Sequence, residues 1–313
     1  MYAIDWAVKK ELRIYDVQRD KIKSIPPTLE AFAKFLSKLK GATNFYFEEG
    51  GGDSFKLQAR RTGHEVYTIP GKEIKEYRDK LGLTKSDVVD AVVIGKFAKL
   101  YPGKFYQFRE LDEITARIAI LFKGRKDIEQ TLVRQKNRLF ALKMRLELVS
   151  LDGHKAKIIK RAERVIKALE SDFEGQTRLL EIVLKDHPMS GYFGKIKGVG
   201  PAVAGGMIST IKRAGRFDNK GSLRHYAGMV AKKGDQKFQH DLKRALYFFC
   251  VSIIKARTPR WRKLYDDMKI YYQDKHPDWK KGHVNNYAMK FVETKFLDQV
   301  YSEMKKIEGG ELK

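Results

Sequence analysis

Residues 1–103 alternate between short apolar runs and amphipathic helical segments, which restricts this part of the chain to a sheet domain of the α/β class. Residues 2–6 and 11–17 are predicted to pair as a β-hairpin, because both runs are short and apolar in alternation. Residues 44–48 and 65–69 are predicted to be two further strands, since glycines follow both of them.

Three helices are predicted between and after these strands. One starts at Pro26-Pro27-Thr28 and continues to about Lys40, a second passes through Gln58, and a third is capped by Thr84. The order is strand, hairpin, helix, strand, helix, strand, helix. This order predicts a ribonuclease-H-like (RuvC-like) α/β domain.

Acidic residues lie at the ends of these apolar runs although the chain is basic elsewhere. Asp5 ends the first run, Glu48 and Glu49 end a later one, and Asp87 and Asp90 lie three residues apart in the third helix. Residues at positions i and i+3 share one helix face. Carboxylates gathered in this way are costly unless a positive charge compensates them.

Two divalent metal ions would supply that compensation, and pairs of such ions usually serve phosphodiester chemistry. Oxygen-only ligands favour Mg²⁺ or Mn²⁺ over zinc. The predicted ligands and catalytic residues are Asp5, Glu48, Glu49, Asp87 and Asp90. Spacing leaves Glu48 and Glu49 as alternatives, because Glu48 would share the face of Tyr46 and Glu49 that of Phe47. Each acid alone is weak evidence, and Asp-x-x-Asp in a first helical turn is usually a solvated pair that the helix dipole favours.

Residues 108–187 contain no proline and carry two stripes of apolar residues at steps of three, four and seven. The first stripe extends from Leu121 to Val149 and the second from Ile158 to Val183, with Asp152-Gly153 between them. This pattern predicts an antiparallel helical hairpin that dimerises or grips nucleic acid. An ordinary pair of core helices is the alternative. We therefore predict domains at 1–107, 108–187 and 188–313, the last mostly helical.

The charge excess is concentrated in the last of these domains. The whole chain has a formal net charge of +25, and residues 188–313 carry 26 basic and 12 acidic side chains. A one-sided excess of this size indicates a polyanionic partner, and we expect nucleic acid. A lysine-rich surface that serves solubility is the alternative.

Two segments of this domain are predicted to contact nucleic acid. Gly198-Val199-Gly200 precedes Pro201 at a predicted helix start, and Lys195 and Lys197 flank it, which is typical of a helix-hairpin-helix. A tight helix–helix turn is the alternative. The remaining predicted nucleic-acid contacts are basic residues of two later segments: Lys232, Lys233, Arg257, Arg260 and Arg262.

Other compartments and cofactors receive no support from the sequence. No apolar run is long enough to span a membrane, and the N-terminus lacks the pattern of a signal peptide. The one cysteine, Cys250, allows neither an intrachain disulfide nor a cysteine-based zinc site. We expect a cytoplasmic protein associated with the nucleoid and without a membrane partner.

The chain resembles the DEDD transposases of insertion sequences, which are bridge-RNA-guided recombinases with a RuvC-like N-terminal domain. The order of several segments carries the resemblance: Ile4-Asp5 before the hairpin, Glu48-Glu49-Gly50-Gly51-Gly52, Lys85-Ser86-Asp87-Val88-Val89-Asp90-Ala91, Ile196-Lys197-Gly198-Val199-Gly200-Pro201, Arg216-Phe217, and Leu223-Arg224-His225-Tyr226-Ala227-Gly228-Met229. Residues 282–288, Gly-His-Val-Asn-Asn-Tyr-Ala, are similar to the tail of the archaeal branch.

The resemblance implies a mechanism and partners. The acidic quartet would bind Mg²⁺, and a serine of the C-terminal transposase domain would attack DNA to form a covalent phosphoserine intermediate. A structured RNA would pair with donor and target DNA. The chain would act as a homo-oligomer, a dimer or tetramer, in which two domains of different protomers compose one site.

The chain departs from this family at the expected serine. Residues 223–251 contain neither serine nor threonine. The nearest candidate upstream is Ser222, which is also interpreted as a helix cap before Leu223. Three readings stay open: Ser222 is the nucleophile, water attacks at the metal pair, or the protein no longer recombines DNA. A structure-selective endonuclease and a catalytically silent nucleic-acid-binding protein are therefore the rival functions.

Overall fold

The computed structural model of the chain describes residues 1–6, 11–148, 154–230 and 238–311, and these form two compact units, Met1–Ala116 and Arg117–Lys313. The first unit is a mixed α/β domain and the second is helical, as the sequence predicts. The strands of the first unit are β1 (Tyr2–Asp5), β2 (Leu12–Asp16), β3 (Lys21–Ile25), β4 (Asn44–Glu48), β5 (Glu65–Ile69) and β6 (Tyr106–Gln107). Its helices are α1 (Leu29–Leu36), α2 (Asp53–Arg61), α3 (Gly71–Lys80) and α4 (Asp87–Leu100).

The six strands form one sheet in the order β3-β2-β1-β4-β5-β6. β1 pairs with β4 in parallel, and β4 pairs with β5 in parallel. The hairpin partners β2 and β3 and the last strand β6 are antiparallel to their neighbours. The predicted hairpin between β1 and β2 is confirmed, and the carboxyl ends of β1, β4 and β5 lie at one edge of the sheet.

Each face of the sheet has its own buried core, because successive side chains of a strand alternate between faces. On one face, Ile4 and Phe47 pack with Phe32 of α1 and Phe55 of α2. On the other face, Ala3 and Tyr46 pack with residues of α3 and α4. α4 therefore lies on the face of β1 that carries the odd-numbered side chains, including Asp5.

Several local predictions for this unit were wrong. Strand β3 was missed because it is an exposed edge strand with an alternating lysine pattern, and α3 because only Ile74 and Arg78 of that helix are buried. α1 ends at Leu36 rather than Lys40, since the amides of Lys38 and Leu39 bond to carbonyls three residues back. The cap of α4 is Ser86, not Thr84.

The second unit includes most of a long helix, α5 (Glu110–Glu147), and the antiparallel α6 (His154–Asp186). Ion pairs between the two helices set their register, with Lys143 Nζ 2.9 Å from Glu163 Oε1 and Lys136 Nζ 2.7 Å from Glu170 Oε1. The predicted helical hairpin is thus present. Residues Val149, Asp152 and Gly153 of the prediction lie outside the described residues.

The remaining helices of this unit surround a separate apolar core. They are α7 (Ser190–Gly194), α8 (Pro201–Ile211), α9 (Lys220–Tyr226), α10 (His240–Lys255), α11 (Pro259–Lys275) and α12 (Lys281–Glu311). Phe249 of α10 and Phe296 of α12 stack at 3.6 Å between ring centroids in this core. Cys250 is fully buried there, as expected for a helix residue. Among the described helices, none is long and apolar enough to cross a membrane.

Candidate functional site

Asp5 and Glu48 are brought together at the carboxyl edge of the sheet. β1 and β4 are parallel neighbours with Ile4 opposite Phe47, so the next residues along each strand, Asp5 and Glu48, are also opposite one another. Asp5 shares the sheet face of Ala3, and Glu48 that of Tyr46, which is the face that α4 covers. Both carboxylates therefore face α4.

Asp87 and Asp90 lie in the first turn of α4. The Ser86 side chain caps this helix by accepting a hydrogen bond from the amide of Val89 at 3.2 Å. Asp87 is half-buried and Asp90 is only 4% exposed. The helix comes close to the sheet because Gly95 has no side chain: a Cβ there would stand 2.5 Å from the Tyr15 ring.

The four carboxylates interact electrostatically. Burial raises the pKa of Asp5 to about 7, and the charges of Asp90, Asp87 and Glu48 contribute to this rise, against the opposing charge of Lys85. The pKa of Glu48 is also raised, first by burial and then by Asp90. These contributions agree with the strand register and the packing of α4, which bring the four side chains to one partly buried region.

Positive groups from the protein partly offset this repulsion. Arg78 Nη1 of α3 lies 2.5 Å from Asp90 Oδ1, and both side chains are buried. Arg78 and Lys85 also lower the pKa of Glu48. In addition, Asp87 and Asp90 lie at the N-terminus of α4, where the helix dipole favours negative charge.

Glu49 is placed away from this acidic group. It lies on the same face as Phe47, where the Tyr106 hydroxyl donates a hydrogen bond to Glu49 Oε1 at 2.6 Å. The Tyr106 pKa is raised well above its ordinary value by burial and by Glu49. Of the two adjacent glutamates, the structure therefore places Glu48 with Asp5, Asp87 and Asp90, and Glu49 against β6.

Glycines make room around the acidic group. The Glu48 carboxylate lies against Gly71, the first residue of α3, where a Cβ would collide with Oε1 and stand 2.9 Å from Cδ. The Trp6 indole covers Gly51, where any Cβ would overlap the ring. The glycine turn after Glu49 thus accommodates the side chain that follows Asp5.

The donor set suits a hard divalent cation. It consists of carboxylate oxygens, which Mg²⁺ and Mn²⁺ prefer. The pKa values of Asp5 and Glu48 are raised first by burial and then by neighbouring carboxylates, and a bound cation would offset both effects. Across residues 1–6, 11–148, 154–230 and 238–311, however, no three carboxylates, imidazoles or thiols already converge at metal-ligand spacing. One carboxylate, Asp90, is directed at Arg78 instead.

The predicted nucleic-acid residues of the second unit gather around two helix starts. Lys195, Lys197 and Gly198 lie in the exposed turn that leads to Gly200, the N-cap of α8. Gly198 has a φ of 96° and packs on the carbonyl of Ser252. The Thr258 hydroxyl donates a hydrogen bond to the Lys197 carbonyl at 2.5 Å, which joins this turn to the start of α11.

The start of α11 carries the predicted arginines. Arg257 and Arg260 are exposed beside Thr258, and so they adjoin the turn of Lys197. Arg262 differs because its Nε lies 2.7 Å from Asp266 Oδ2, so its guanidinium is engaged within α11. Lys232 and Lys233 lie outside the described residues.

Ser222 is not a helix cap, contrary to one reading of the sequence. Asn219 caps α9, and its side-chain oxygen accepts a hydrogen bond from the Ser222 amide at 3.0 Å. Ser222 is therefore the third residue of the helix and is half-buried. Its hydroxyl does not carry the capping interaction that the sequence suggested.

Sequence reasoning missed Arg78, Trp6 and Gly71 as neighbours of the acidic group. Nothing in the local pattern around Arg78 distinguishes it from the other basic residues of α3. The glycine run after Glu49 was a usable signal for close packing, but the run does not reveal which ring fills the space.

The N-terminal part of the chain matches a known family model. The family model for IS110-type DEDD transposases, described as a transposase, matches residues 3–143 of the chain. The matched segment contains the acidic group and most of α5, the first helix of the hairpin. No protein of curated function matches the chain. The match supports DNA transposition or recombination as the class of function, and transposases of the DEDD type generally use divalent metal ions.

Proposed function

We propose that the chain is a DNA transposase or site-specific recombinase that cuts and rejoins DNA with metal-dependent DEDD chemistry. One observation carries the proposal: strand register places Asp5 beside Glu48, and α4, whose first turn carries Asp87 and Asp90, packs on the same sheet face, all within the segment that matches the transposase family. We assign these four carboxylates as ligands of two Mg²⁺ or Mn²⁺ ions. Glu49 is excluded from this ligand set because it is held by Tyr106.

The sheet topology supports a RuvC-like domain. Ribonuclease-H-like domains combine an antiparallel hairpin with parallel strands, and they use carboxylates at the ends of the central strands. The order β3-β2-β1-β4-β5 with β1, β4 and β5 parallel agrees with that arrangement. Asp5 and Glu48 end two of the central strands, as such a site requires.

The residues of the acidic group have distinct tasks. Bound ions would activate the attacking oxygen and neutralise the charge that develops on the phosphate and leaving oxygen. Asp5 and Glu48 are held by paired strands, so their backbone positions are rigid. Asp87 and Asp90 have a fixed spacing because both belong to the first turn of α4. Arg78 limits the repulsion among the four carboxylates before any cation binds.

We propose that DNA is gripped by the surface around Lys195, Lys197, Arg257 and Arg260. The turn through Gly198 and Gly200 would act as a helix-hairpin-helix, in which the glycines let a phosphate approach the backbone at the start of α8. Its connection to α11 through Thr258 and Lys197 supports a single surface. Lys232, Lys233 and Arg262 are retained as further candidate contacts.

Two nucleophiles are considered for the cutting step. With Ser222, the hydroxyl would lose its proton, its Oγ would bond to phosphorus, and one P–O bond to deoxyribose would break with release of a deoxyribose hydroxyl. Reversal of this step by another DNA hydroxyl would rejoin strands. With water, the same P–O bond would be hydrolysed and no rejoining would follow, as in a RuvC-like endonuclease. The absence of Ser and Thr from residues 223–251 favours this second function.

We further propose a structured guide RNA and a homo-oligomer, a dimer or tetramer, as partners. The net charge of +25 supports a second polyanionic partner in addition to a DNA strand. An exposed apolar stripe on α5 supports oligomerisation: Val133 is 53% exposed, Phe140 69% and Met144 55%. These positions are seven and four residues apart and so share one helix face.

Cleavage of supercoiled DNA in Mg²⁺ tests the proposal. We expect nicking or strand exchange by the wild type, and a loss of more than about a hundredfold with Asp5→Asn. A DNA–protein adduct that survives denaturation and disappears in Ser222→Ala would identify the serine route. Cleavage without an adduct and unaffected by Ser222→Ala would identify the endonuclease. Equal activity of Asp5→Asn and wild type would contradict the metal site, and no activity in any of them would favour the silent nucleic-acid-binding protein.

A further inference from the structure

A basic groove lies in the first unit at the end of the sheet opposite the acidic group. It is a cavity of about 540 Å³ between the β2–β3 hairpin and the last turn of α1. Tyr2 and Asp16 are cross-strand partners at this end of the sheet, whereas Asp5 pairs with Arg13 at the other end. Asp5 is three residue steps along β1 from Tyr2, or about 10 Å.

The groove also opens on the other face of the sheet. Tyr2 and Ile14 belong to the face that α1 and α2 cover, and Lys21 and Lys23 lie opposite Asp16 and Ile14 on that same face. The acidic group lies on the face that α4 covers. The groove and the acidic group are therefore separate surfaces of the first unit.

Five cations surround the groove, all exposed: Arg19, Lys21, Lys23, Lys38 and Lys40. Within the described parts of the chain, no carboxylate forms an ion pair with any of the four lysines. Arg19 and Asp16 form a loose pair at 3.9 Å. Clustered lysines without acidic partners repel one another, which a bound polyanion would relieve.

The side chains that line the groove favour one class of polyanion over others. Tyr2, Ile14, Phe35 and Leu39 provide an apolar lining between the cations. A duplex presents a convex surface that fits poorly into a concave space of this size. A flexible single strand fits better, because its phosphates can follow the lysines. Asp16 is the one carboxylate among the residues that line the groove. A carboxylate repels phosphate but accepts a hydrogen bond from a hydroxyl, and the ribose 2′-OH is the hydroxyl that distinguishes RNA from DNA.

We propose that this groove binds an unpaired stretch of RNA, with phosphates on Lys21, Lys23, Lys38 and Lys40 and a ribose hydroxyl directed to Asp16. That the protein has an RNA partner rests on the proposed function. The location of the binding site rests on the groove itself. It gives the first unit two nucleic-acid surfaces, one at each end of the sheet. DNA is cut at the acidic end, and RNA is held at the other.

The test uses the full chain, EDTA-containing buffer and two labelled oligonucleotides of equal length, oligouridine and oligodeoxyuridine. The groove variant combines Lys21→Gln, Lys23→Gln, Lys38→Gln and Lys40→Gln. The matched control combines Lys75→Gln, Lys80→Gln, Lys96→Gln and Lys99→Gln, which removes four exposed charges elsewhere in the same unit. Glutamine keeps the edge strand polar, so both variants should retain the fold.

We expect the groove variant to lose oligouridine affinity by about tenfold or more, and the control by no more than about twofold. The slope of log K against log salt should fall by about 0.7 for each phosphate that no longer has a lysine beside it, or roughly three for four lysines. Wild type should prefer oligouridine over oligodeoxyuridine by about fivefold, the value of one hydrogen bond, and the groove variant should lose this preference.

Three results would overturn the proposal: equal losses in both variants, equal affinity of wild type for the two oligonucleotides, or unchanged RNA affinity with self-association of the groove variant. The last result would mean that the lysines only protect the edge strand from pairing. Asp5→Asn should bind oligouridine as wild type does. If the groove does not bind RNA, only the measured RNA affinities will disagree with the expectation. If the proposed function is wrong, only the DNA cleavage results will disagree.

Discussion

Arg78 Nη1 lies 2.5 Å from Asp90 Oδ1, and the exposed fractions of the two residues are 8% and 4%. This buried ion pair joins α3 to the first turn of α4 at the centre of the acidic group. It supplies the positive charge that lets four carboxylates share one region. A divalent cation bound by the same carboxylates would compete with Arg78 for Asp90.

Arg78→Met should therefore destabilise the metal-free protein by about 3–5 kcal/mol, because Asp90 would remain buried without its partner. Added Mg²⁺ should raise the melting temperature of Arg78→Met more than that of wild type, since the cation replaces the lost charge. Thermal unfolding with and without Mg²⁺ measures this. Arg60→Met is the matched control, because Arg60 pairs with Glu113 outside the acidic group. The same Mg²⁺ response in both variants would contradict competition at Asp90.

Glu48→Gln and Glu49→Gln should differ sharply in activity. Glu48 faces Asp5 and Asp90, so its loss should reduce Mg²⁺-dependent DNA cleavage by more than about a hundredfold. Glu49 is hydrogen-bonded to Tyr106, so Glu49→Gln should lower stability while cleavage changes by less than about tenfold. Initial cleavage rates with urea unfolding of each variant measure both effects. A greater loss of cleavage with Glu49→Gln than with Glu48→Gln would mean that Glu49, and not Glu48, is the metal ligand.

Gly71→Ala should displace the Glu48 carboxylate, because the new Cβ would occupy the space of Oε1. We expect Mn²⁺ affinity, measured by calorimetry, to fall by about tenfold or more. The fold should be little affected, since Gly71 begins α3 with an ordinary φ and the carboxylate can rotate away. Gly103→Ala is the control because no atom lies within 4 Å of its Cβ position. Unchanged Mn²⁺ affinity in Gly71→Ala would show that Glu48 does not bind the metal.

Phe140→Glu combined with Met144→Glu should reduce the oligomeric mass. These side chains are 69% and 55% exposed on one face of α5, and burying two carboxylates in an apolar interface is unfavourable. Light scattering after size exclusion measures the mass at a fixed concentration. Phe140→Leu with Met144→Leu keeps the same face of α5 apolar and should leave the mass unchanged. Identical masses for all three proteins would place the oligomer interface elsewhere.

Glu293 of α12 should make the stability of the second unit depend on pH. Burial raises its pKa to about 7, although Lys243 and Lys290 oppose the shift. Because the folded pKa exceeds the unfolded value, the contribution to stability is complete below about pH 4.5 and is lost as pH rises through 7. Glu293→Gln should therefore be more stable than wild type at pH 8, by up to about 3 kcal/mol, and similar to it at pH 4.5.

Urea unfolding across this pH range measures that difference. Glu303→Gln is the control, since Glu303 is half-exposed and pairs with Lys306 at 2.7 Å. A pH dependence that is the same in Glu293→Gln and wild type would show that Glu293 is charged in the folded protein.

Local patterns were enough to predict most elements of the first unit and the helical hairpin. Strands β1, β2, β4 and β5 have apolar alternation, and α5 and α6 have repeating apolar stripes, so neighbours in sequence carry the signal. Strand β3 and helix α3 bury few apolar side chains, and their periodicity was too weak to detect. The cap of α4 was misplaced by two residues because Thr84 and Ser86 both suit that role.

The sequence by itself determined the chemistry that is available: an acidic set on a basic chain, placed at strand ends and in one helical turn. Tertiary structure decided which charges meet. Sheet register places Glu48 opposite Asp5 and turns Glu49 to the other face, and the packing of α3 beside α4 brings Arg78 to Asp90. The same topology sends the lysines of β3 and of the segment after α1 to the far end of the sheet. Periodicity depends on near neighbours in the chain, whereas a charge cluster depends on contacts between segments that only folding brings together.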